Sequence, residues 1–261
     1  MPAEKLRFRF RKTGRLRLLS HLDLVRSLER MARRAEIPFA RTQGFHPAPR
    51  IVFAQSLSLG LEGWNEVLEV ELTEPRDAED TRERLNAQAP EGLSFESVRE
   101  LGKKDRAATR RMVYRLDVPT QRIGDLADRC AEIEAGSSMW VSRWKPKPRK
   151  LNIRPYLRSL CTATDDRGPC LLLDLWVTTT GTARADELLT LLRADDLPAS
   201  GSTLARSELQ VHDETPANEP DAPPDAAPET APLEPTAATA IEPDEPNEPE
   251  WGLGPGGPVV E

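Results

Sequence analysis

A chain of 261 residues admits one large domain or two small ones. Its formal charge of −7 conceals an uneven division: residues 213–261 hold 12 of the 24 prolines and 13 acidic residues with no Lys or Arg, which leaves 36 basic against 30 acidic side chains, a net of +6, in the first 212. Three cysteines without a CxxC pair, and no run near the roughly 20 apolar residues of a membrane helix, exclude a disulfide framework, a structural zinc site and a spanning anchor, and make a reducing cytoplasm the expected location.

Lys5 to Lys12 alternates Leu6, Phe8 and Phe10 against Arg7, Arg9 and Arg11, the two-residue period of a half-buried strand. Arg15 to Leu18 alternates likewise. A three-residue loop, Lys12-Thr13-Gly14, pairs Phe10 with Leu16 and Arg9 with Arg17, and places Gly14 at the left-handed position. A two-residue loop would mix buried and solvated sets, so the three-residue hairpin is predicted. Like charges facing each other across it destabilise a sheet, a cost easier to understand if an anion visits the five arginines.

Ser20 and Asp23 read as a capped helix start, and the helix runs to about Glu36 before Pro38. A 3.6-residue period puts Val25, Leu28, Met31, Ala32 and Ala35 on one arc and Arg26, Arg30, Arg33 and Arg34 on the other. Asp23 can pair with Arg26 and Glu29 with Arg33. A short strand at Phe39–Gln43 and a constrained Gly44–Pro49 loop follow. Strands at Arg50–Gln55 and Glu66–Leu72, a helix at Asp77–Gln88 and a strand at Leu93–Leu101 complete the first half.

A basic connection, Gly102–Arg111, leads to a strand at Met112–Val118, a helix at Ile123–Glu134 and a strand at Ser138–Trp144. A basic loop, Lys145–Lys150, is followed by strands at Pro155–Thr162 and Cys170–Thr179, a helix at Arg184–Arg193 and a last strand at Leu204–Val211. The expected fold is α+β in two lobes, residues 1–102 and 103–212. Each lobe has an antiparallel sheet with helices on one face in ferredoxin-like (split βαβ) order. Residues 213–261, acidic and Pro-rich, are expected to be disordered; the tail is a solvating appendage or an internal competitor for the basic face, with Trp251 a short docking motif in the second case.

The strongest functional pattern is arginine: Arg7, Arg9, Arg11, Arg15, Arg17, Arg26, Arg30, Arg33, Arg34, Arg41 and Arg50. The planar guanidinium suits phosphates, and a single-sign surface attracts anions, which points to RNA or another phosphate-rich partner as well as to a merely solvated face. Arg143–Lys150 adds a basic run with Trp144 inside it, a pattern suited to stacking and phosphate contact. Ser20, His21 and Asp23 are too close in sequence to form a triad and are expected to cap and pack. His46 is either a structural histidine bonded to its loop or, with Asp23, the centre of a catalytic site. No metal and no cofactor is expected.

Several runs together resemble one family: Arg9-Phe10-Arg11-Lys12-x-Gly14, Ser20-His21-Leu22-Asp23-Leu24, Arg33-Arg34-Ala35-x-Ile37-Pro38, Gly44-Phe45-His46-Pro47-x-Pro49 and Leu57-x-Leu59-Gly60. They look like the radical-SAM-associated (radical-SAM-linked) domain of unknown function, a bacterial domain found alone or fused to a radical-SAM protein. Asn152-Ile153-Arg154-Pro155 and Gly181–Leu188 extend the likeness more loosely. The resemblance implies an accessory part of a radical-SAM system. This chain lacks the CxxxCxxC that would hold a [4Fe–4S] cluster, so radical chemistry would come from a separate partner. The expectation is an adaptor that binds RNA, transfer RNA included, for a radical-SAM enzyme; the alternatives are an enzyme working at the Gly44–Pro49 loop and a purely structural subunit.

Overall fold

The computed structural model describes residues 3–144, 147–215, 219 and 228–231. The first strand, β1 (Ala3–Lys12), lies along β3 (Glu62–Arg76) on one side and β4 (Leu93–Glu100) on the other, antiparallel to both. Helix α1 (His21–Arg34) follows β1, β2 (Ile51–Phe53) pairs with β3, and α2 (Ala78–Ala87) precedes β4. The first half is therefore β-α-β-β-α-β with strand order β4-β1-β3-β2.

The second half repeats the plan with β5 (Thr109–Asp117), α3 (Ile123–Ala135), β8 (Leu157–Asp165), β9 (Gly168–Trp176), α4 (Ala185–Leu191), a short α5 (Asp196–Ala199) and β10 (Leu204–Val211). Its strand order is β10-β5-β9-β8. The two antiparallel orders match position for position, which is the split βαβ topology twice over. A hairpin of β6 (Trp140–Arg143) and β7 (Arg149–Asn152) is inserted between α3 and β8. It takes β11 (Thr230–Ala231) as a third strand.

The halves join edge to edge. β10 lies parallel to β3 at Ala205–Glu62 and Arg206–Gly63, so both sheets become one of eight strands. Arg206 and Glu66, each almost wholly buried, face one another across the join with Nε to Oε1 at 2.7 Å. Arg206 also donates to the Gln55 and Ser56 carbonyls. Gly63 admits no side chain there, since a Cβ would lie 2.4 Å from Glu66 Cγ.

Each half keeps its own core on the helix-covered face. In the first, Leu6, Phe8 and Phe10 of β1 meet Leu68 and Val70 of β3, Phe95 of β4 and Leu24, Leu28, Met31 and Ala32 of α1. Phe8 and Phe95 pack edge to face at 5.5 Å, an arrangement worth about 1 kcal/mol beyond its buried area. Leu24 takes the buried position that the helical period assigned to Val25, which is half-buried. In the second half, Leu116, Leu171, Leu173 and Leu175 meet Leu126, Cys130, Leu188 and Leu189. Val67, Leu209 and Val211 form a third, small cluster. It lies on the opposite face of the sheet, since Val67 alternates with Leu68 and Val70 along β3.

The predicted hairpin does not form. Gly14–Leu18 is a 3₁₀ turn, because β3 and β4 already occupy both edges of β1 and leave no ladder for a returning strand. Gly14 does take the left-handed conformation, with φ of 60°, and its N–H donates to Glu62 Oε1 at 2.8 Å. Losing the hairpin strand leaves the first half with the same β-α-β-β-α-β order as the second, apart from the β6–β7 insertion there. Phe39–Gln43 is reduced to two isolated bridges, Phe39 to Leu72 and Arg41 to Pro49. The boundary expected at residues 102 and 103 falls in the connection between β4 and β5. At the start of the expected disordered tail, His212–Glu214 is a 3₁₀ turn, and Thr230–Ala231 is a strand; Trp251 and most of residues 216–261 lie outside the described residues.

Candidate functional site

Ser20 caps α1: its Oγ accepts from Asp23 N at 3.2 Å and donates to Asp23 Oδ2 at 2.7 Å. The Ser20 hydroxyl first, then Arg26 and Arg30, hold the Asp23 carboxyl below its usual range against an opposing effect of desolvation. His21 packs edge to face on Phe53 at 4.9 Å. Ser20, His21 and Asp23 are thus committed to the helix start and its packing.

From that start, α1 lays Arg26, Arg30 and Arg33 along its solvent face at intervals of four and three residues. Arg26 bonds Asp23 at 3.2 Å, and Arg33 lies 3.8 Å from Glu29. Glu29 makes a tighter bond with Arg41, at 2.6 Å, and Arg41 also donates to the Pro47 carbonyl, which ties the Gly44–Pro49 loop to the helix. Arg34 binds Gln88. Arg30 has no carboxylate partner among the described residues, and neither have Arg11, Arg15 or Arg17. Arg50 pairs with Glu71.

β1 treats its arginines differently. Arg7 is 1% exposed and lies opposite Glu69 in register. Its Nη2 reaches Glu69 Oε1 at 2.7 Å, while Nη1 reaches Asp213 Oδ1 at 2.7 Å and Glu214 Oε1 at 2.9 Å. Arg9 binds Glu214 and the Leu209 carbonyl. Arg99 of β4 binds Asp213 and Glu214. Burial alone would depress the Arg7 pKa; the bonds it donates to Asp213, Glu214 and Glu69 outweigh that and raise the pKa. Burial would likewise raise the carboxyls of Asp213 and Glu214, and the same guanidiniums hold both below their usual range.

The eleven expected arginines therefore do not form one continuous surface. Arg7 and Arg9 sit on the helix-free face of the sheet under the chain's own carboxylates, whereas Arg26, Arg30 and Arg33 line the outside of α1. Sequence reasoning missed Arg99, Arg110 and Arg111 on the helix-free side. Arg110 is buried against Trp176 and 3.5 Å from Glu219, and Arg111 joins Asp174 and Glu219. A signal was present: Glu69 and Glu71 alternate with Leu68, Val70 and Leu72 as the arginines of β1 alternate with Leu6 and Phe8, the pattern of strands facing one another with opposite charges.

Phe45 and His46 stand exposed in the loop. Nothing described bonds the His46 side chain to the loop backbone or brings it to Asp23, so the structure assembles neither the structural role nor the catalytic pair. Of the basic run at 143–150, Arg143 is withdrawn, bonded to Glu187 at 2.6 Å and to the Thr182 carbonyl. Trp144 is exposed, and Lys145 and Pro146 lie outside the described residues. Among the described residues no three His, Cys, Asp or Glu side chains are grouped to hold a metal ion, and no helix is long and apolar enough to cross a membrane. Burial pushes the Cys130 thiol up to about 12, away from the thiolate a metal or a nucleophilic role requires.

A cleft of about 710 Å³ lies at the join of the two halves, lined by Met112, Tyr114, Arg184, Asp186, Leu204 and Arg206 among others. Its arginines at 143 and 206 are already bonded to Glu187 and Glu66.

Comparison with known proteins gives a family and little else. A family model described as an uncharacterized protein conserved in bacteria (DUF2344) matches residues 5–185, from β1 to the first residue of α4. No curated protein matches the chain. A solved structure, an unknown protein from Galdieria sulphuraria, aligns over 80% of this chain and 98% of its own at 9% identity, with a TM-score of 0.24.

Proposed function

We propose that this chain, which belongs to the family described as an uncharacterized protein conserved in bacteria (DUF2344), is a non-catalytic accessory protein that binds RNA for a separate radical-SAM enzyme. The observation that carries the RNA half is the outer stripe of α1. Arg26, Arg30 and Arg33 are exposed along about two turns, they share two carboxylates, and Arg30 is paired with neither. Guanidinium groups spaced along a rigid helix suit successive phosphates, and phosphate contacts give affinity without requiring a pocket. Arg15 and Arg17, on the turn just before α1, extend the same charge. The radical-SAM half rests on the sequence motifs from Arg9 to Gly60, several of which lie on or beside α1.

The test is RNA binding by the full chain across a salt series. Arg30→Glu with Arg33→Glu should weaken binding about tenfold and make the slope of log K against log[salt] shallower by about 1.4, two contacts at about 0.7 each. Unchanged affinity in that variant would sink the reading of α1 as the RNA-binding surface. For the partner, affinity purification of the tagged full chain should bring down a protein with a CxxxCxxC cluster motif; purification with RNA and no such protein would overturn the accessory role.

A further inference from the structure

The helix-free face of the sheet carries a second constellation, made by residues from both halves. Arg7 and Arg9 of β1, Arg99 of β4 and Arg110 and Arg111 of β5 all turn to it, and the chain returns from β10 to cover them. Asp213 binds Arg7 and Arg99, Glu214 binds Arg7, Arg9 and Arg99, and Glu219 binds Arg110 and Arg111. Among the described residues, the carboxylates of Asp213, Glu214 and Glu219 thus serve five guanidiniums.

The sheet's own acids offset only part of this charge, and one of them, Glu208, accepts from Asn65. Glu69 is shared by Arg7, Lys5 and the Ala107 N–H, and Asp174 is shared by Arg111 and Arg158. Without Asp213 and Glu214, Arg7 at 1% exposure would keep only the shared Glu69, and Arg9 and Arg99 would lose their carboxylate partners among the described residues. Burying charge so poorly balanced costs several kcal/mol per ion, so the face requires an anion, and the acidic stretch supplies one in cis. A small cavity of about 390 Å³ lies beside this contact, lined by Arg9, Asn65, Glu208 and Glu214 among others, so the covering is not close-packed at that end.

We propose that this face is an RNA-backbone-binding groove, in which the carboxylates of Asp213, Glu214 and Glu219 occupy the positions of phosphodiester groups and are displaced when RNA binds. The ligand class follows from the donors. Two adjacent carboxylates share Arg7 and Arg99, as neighbouring phosphates on one strand would, and the donor set is arginine, whose fork binds a phosphodiester through two parallel bonds. Tethering makes the acidic stretch a competitor at an effective concentration in the millimolar range, which keeps the groove closed to weak or monovalent anions. The site is separate from the outer face of α1 and stands or falls independently of it.

The experiment uses the full chain with Asp213→Asn, Glu214→Gln and Glu219→Gln, which keep shape and hydrogen-bonding capacity while removing three negative charges. A single-stranded RNA oligonucleotide is titrated over a salt series, with inorganic polyphosphate in a parallel arm. Expected is RNA affinity at least about tenfold higher than for the unaltered chain and a salt slope steeper by about 2, three freed contacts at about 0.7 each. Adding Arg9→Glu and Arg99→Glu to the neutralised chain should return affinity to its starting value. Affinity and slope within twofold of the unaltered chain would reduce the contact to a structural ion-pair cluster. A gain that survives the two arginine reversals, or one seen with polyphosphate and not with RNA, would equally overturn the proposal. If the triple variant fails to melt cooperatively, Glu219→Gln alone, which leaves Arg7, Arg9 and Arg99 covered, should still steepen the slope by about 0.7, and no change there counts against the groove. Repeating the series on Arg30→Glu, Arg33→Glu separates the two surfaces: a gain from carboxylate neutralisation that persists there belongs to the groove, and binding lost only there belongs to α1.

Discussion

The two halves of this molecule share a topology and differ in charge at the same place. α1 and α3 each follow the first strand of a β-α-β-β-α-β unit and each cover one face of its sheet. α1 carries Arg26, Arg30, Arg33 and Arg34 against Asp23 and Glu29, while α3 carries Asp125, Asp128, Glu132 and Glu134 against Arg129. A helix in this position can therefore be basic or acidic without altering the architecture. What the fold needs from it is the buried stripe, Leu24, Leu28 and Met31 in one case and Leu126 and Cys130 in the other. The arginines of α1 are not required by packing, and that frees them for a partner.

The largest effect should come from breaking the join between the halves. Arg206→Ala leaves Glu66 charged and buried beside no guanidinium, and should lower unfolding free energy by about 3–5 kcal/mol in urea titration. If the two halves were independent, the same change would leave overall stability nearly intact. Replacing both residues by apolar side chains of similar volume, Glu66→Leu with Arg206→Met, should recover most of the loss, because paired burial is the requirement rather than charge itself.

A smaller effect, specific to binding, should follow from exchanging the helices' charges. Asp128→Lys with Glu132→Lys puts two cations on exposed positions of α3, yet RNA affinity should stay within about threefold of the unaltered chain, since α3 has no arginine turn like Gly14–Leu18 beside it. Stability should move by no more than about 0.5 kcal/mol, as it should for Arg30→Glu with Arg33→Glu on α1. Comparable RNA gains from α3 would mean that net charge, not the α1 stripe, governs binding.

What could be read from the chain divides along the range of the forces involved. Ser20 and Asp77 announce α1 and α2 through bonds spanning three residues, and the apolar alternation of β1 sets its buried face; these are local, and they were legible. The hairpin at Arg15–Leu18 was misread for a different reason. Its alternation is a real β pattern, but whether a strand edge is free depends on β3 and β4, which lie roughly 60 and 90 residues along the chain. Arg7 was misread in the same way. Its exposure is decided by Glu69 and by Asp213, 62 and 206 residues away, and an arginine opposite a phenylalanine looks solvated until those carboxylates are placed. Arg206 gave no warning at all, since Leu-Ala-Arg-Ser-Glu-Leu reads as a strand with a wet face, yet that face is the seam.

The subtlest test of the difference between the halves is their response to acid. In the second half Arg115 bonds Asp165 through Nε at 2.6 Å and Nη2 at 2.7 Å, and these bonds hold the Asp165 carboxyl down to about 2. A carboxyl depressed on folding stabilises the native state above its unfolded pKa of about 3.9 and loses that contribution as pH falls through the folded value. The Arg115–Asp165 pair should thus weaken between about pH 4 and pH 2 and be insensitive above pH 5. Asp213 and Glu214, which follow β10 and lie on the first half's strands, are depressed for the same reason, Asp213 by Arg7 and Arg99 and Glu214 by Arg7 and Arg9, but they lie on a short turn that these arginines hold to the sheet. Carboxyl resonances followed by NMR should show all three titrating below their unpaired values. Only protonation of Asp213 and Glu214 should raise amide exchange across 212–215, because Asp165 is anchored by the β8–β9 ladder on either side. Equal loosening at both sites would mean that the 213–214 contact is as firmly built into the fold as the β8–β9 turn, and not a displaceable cover.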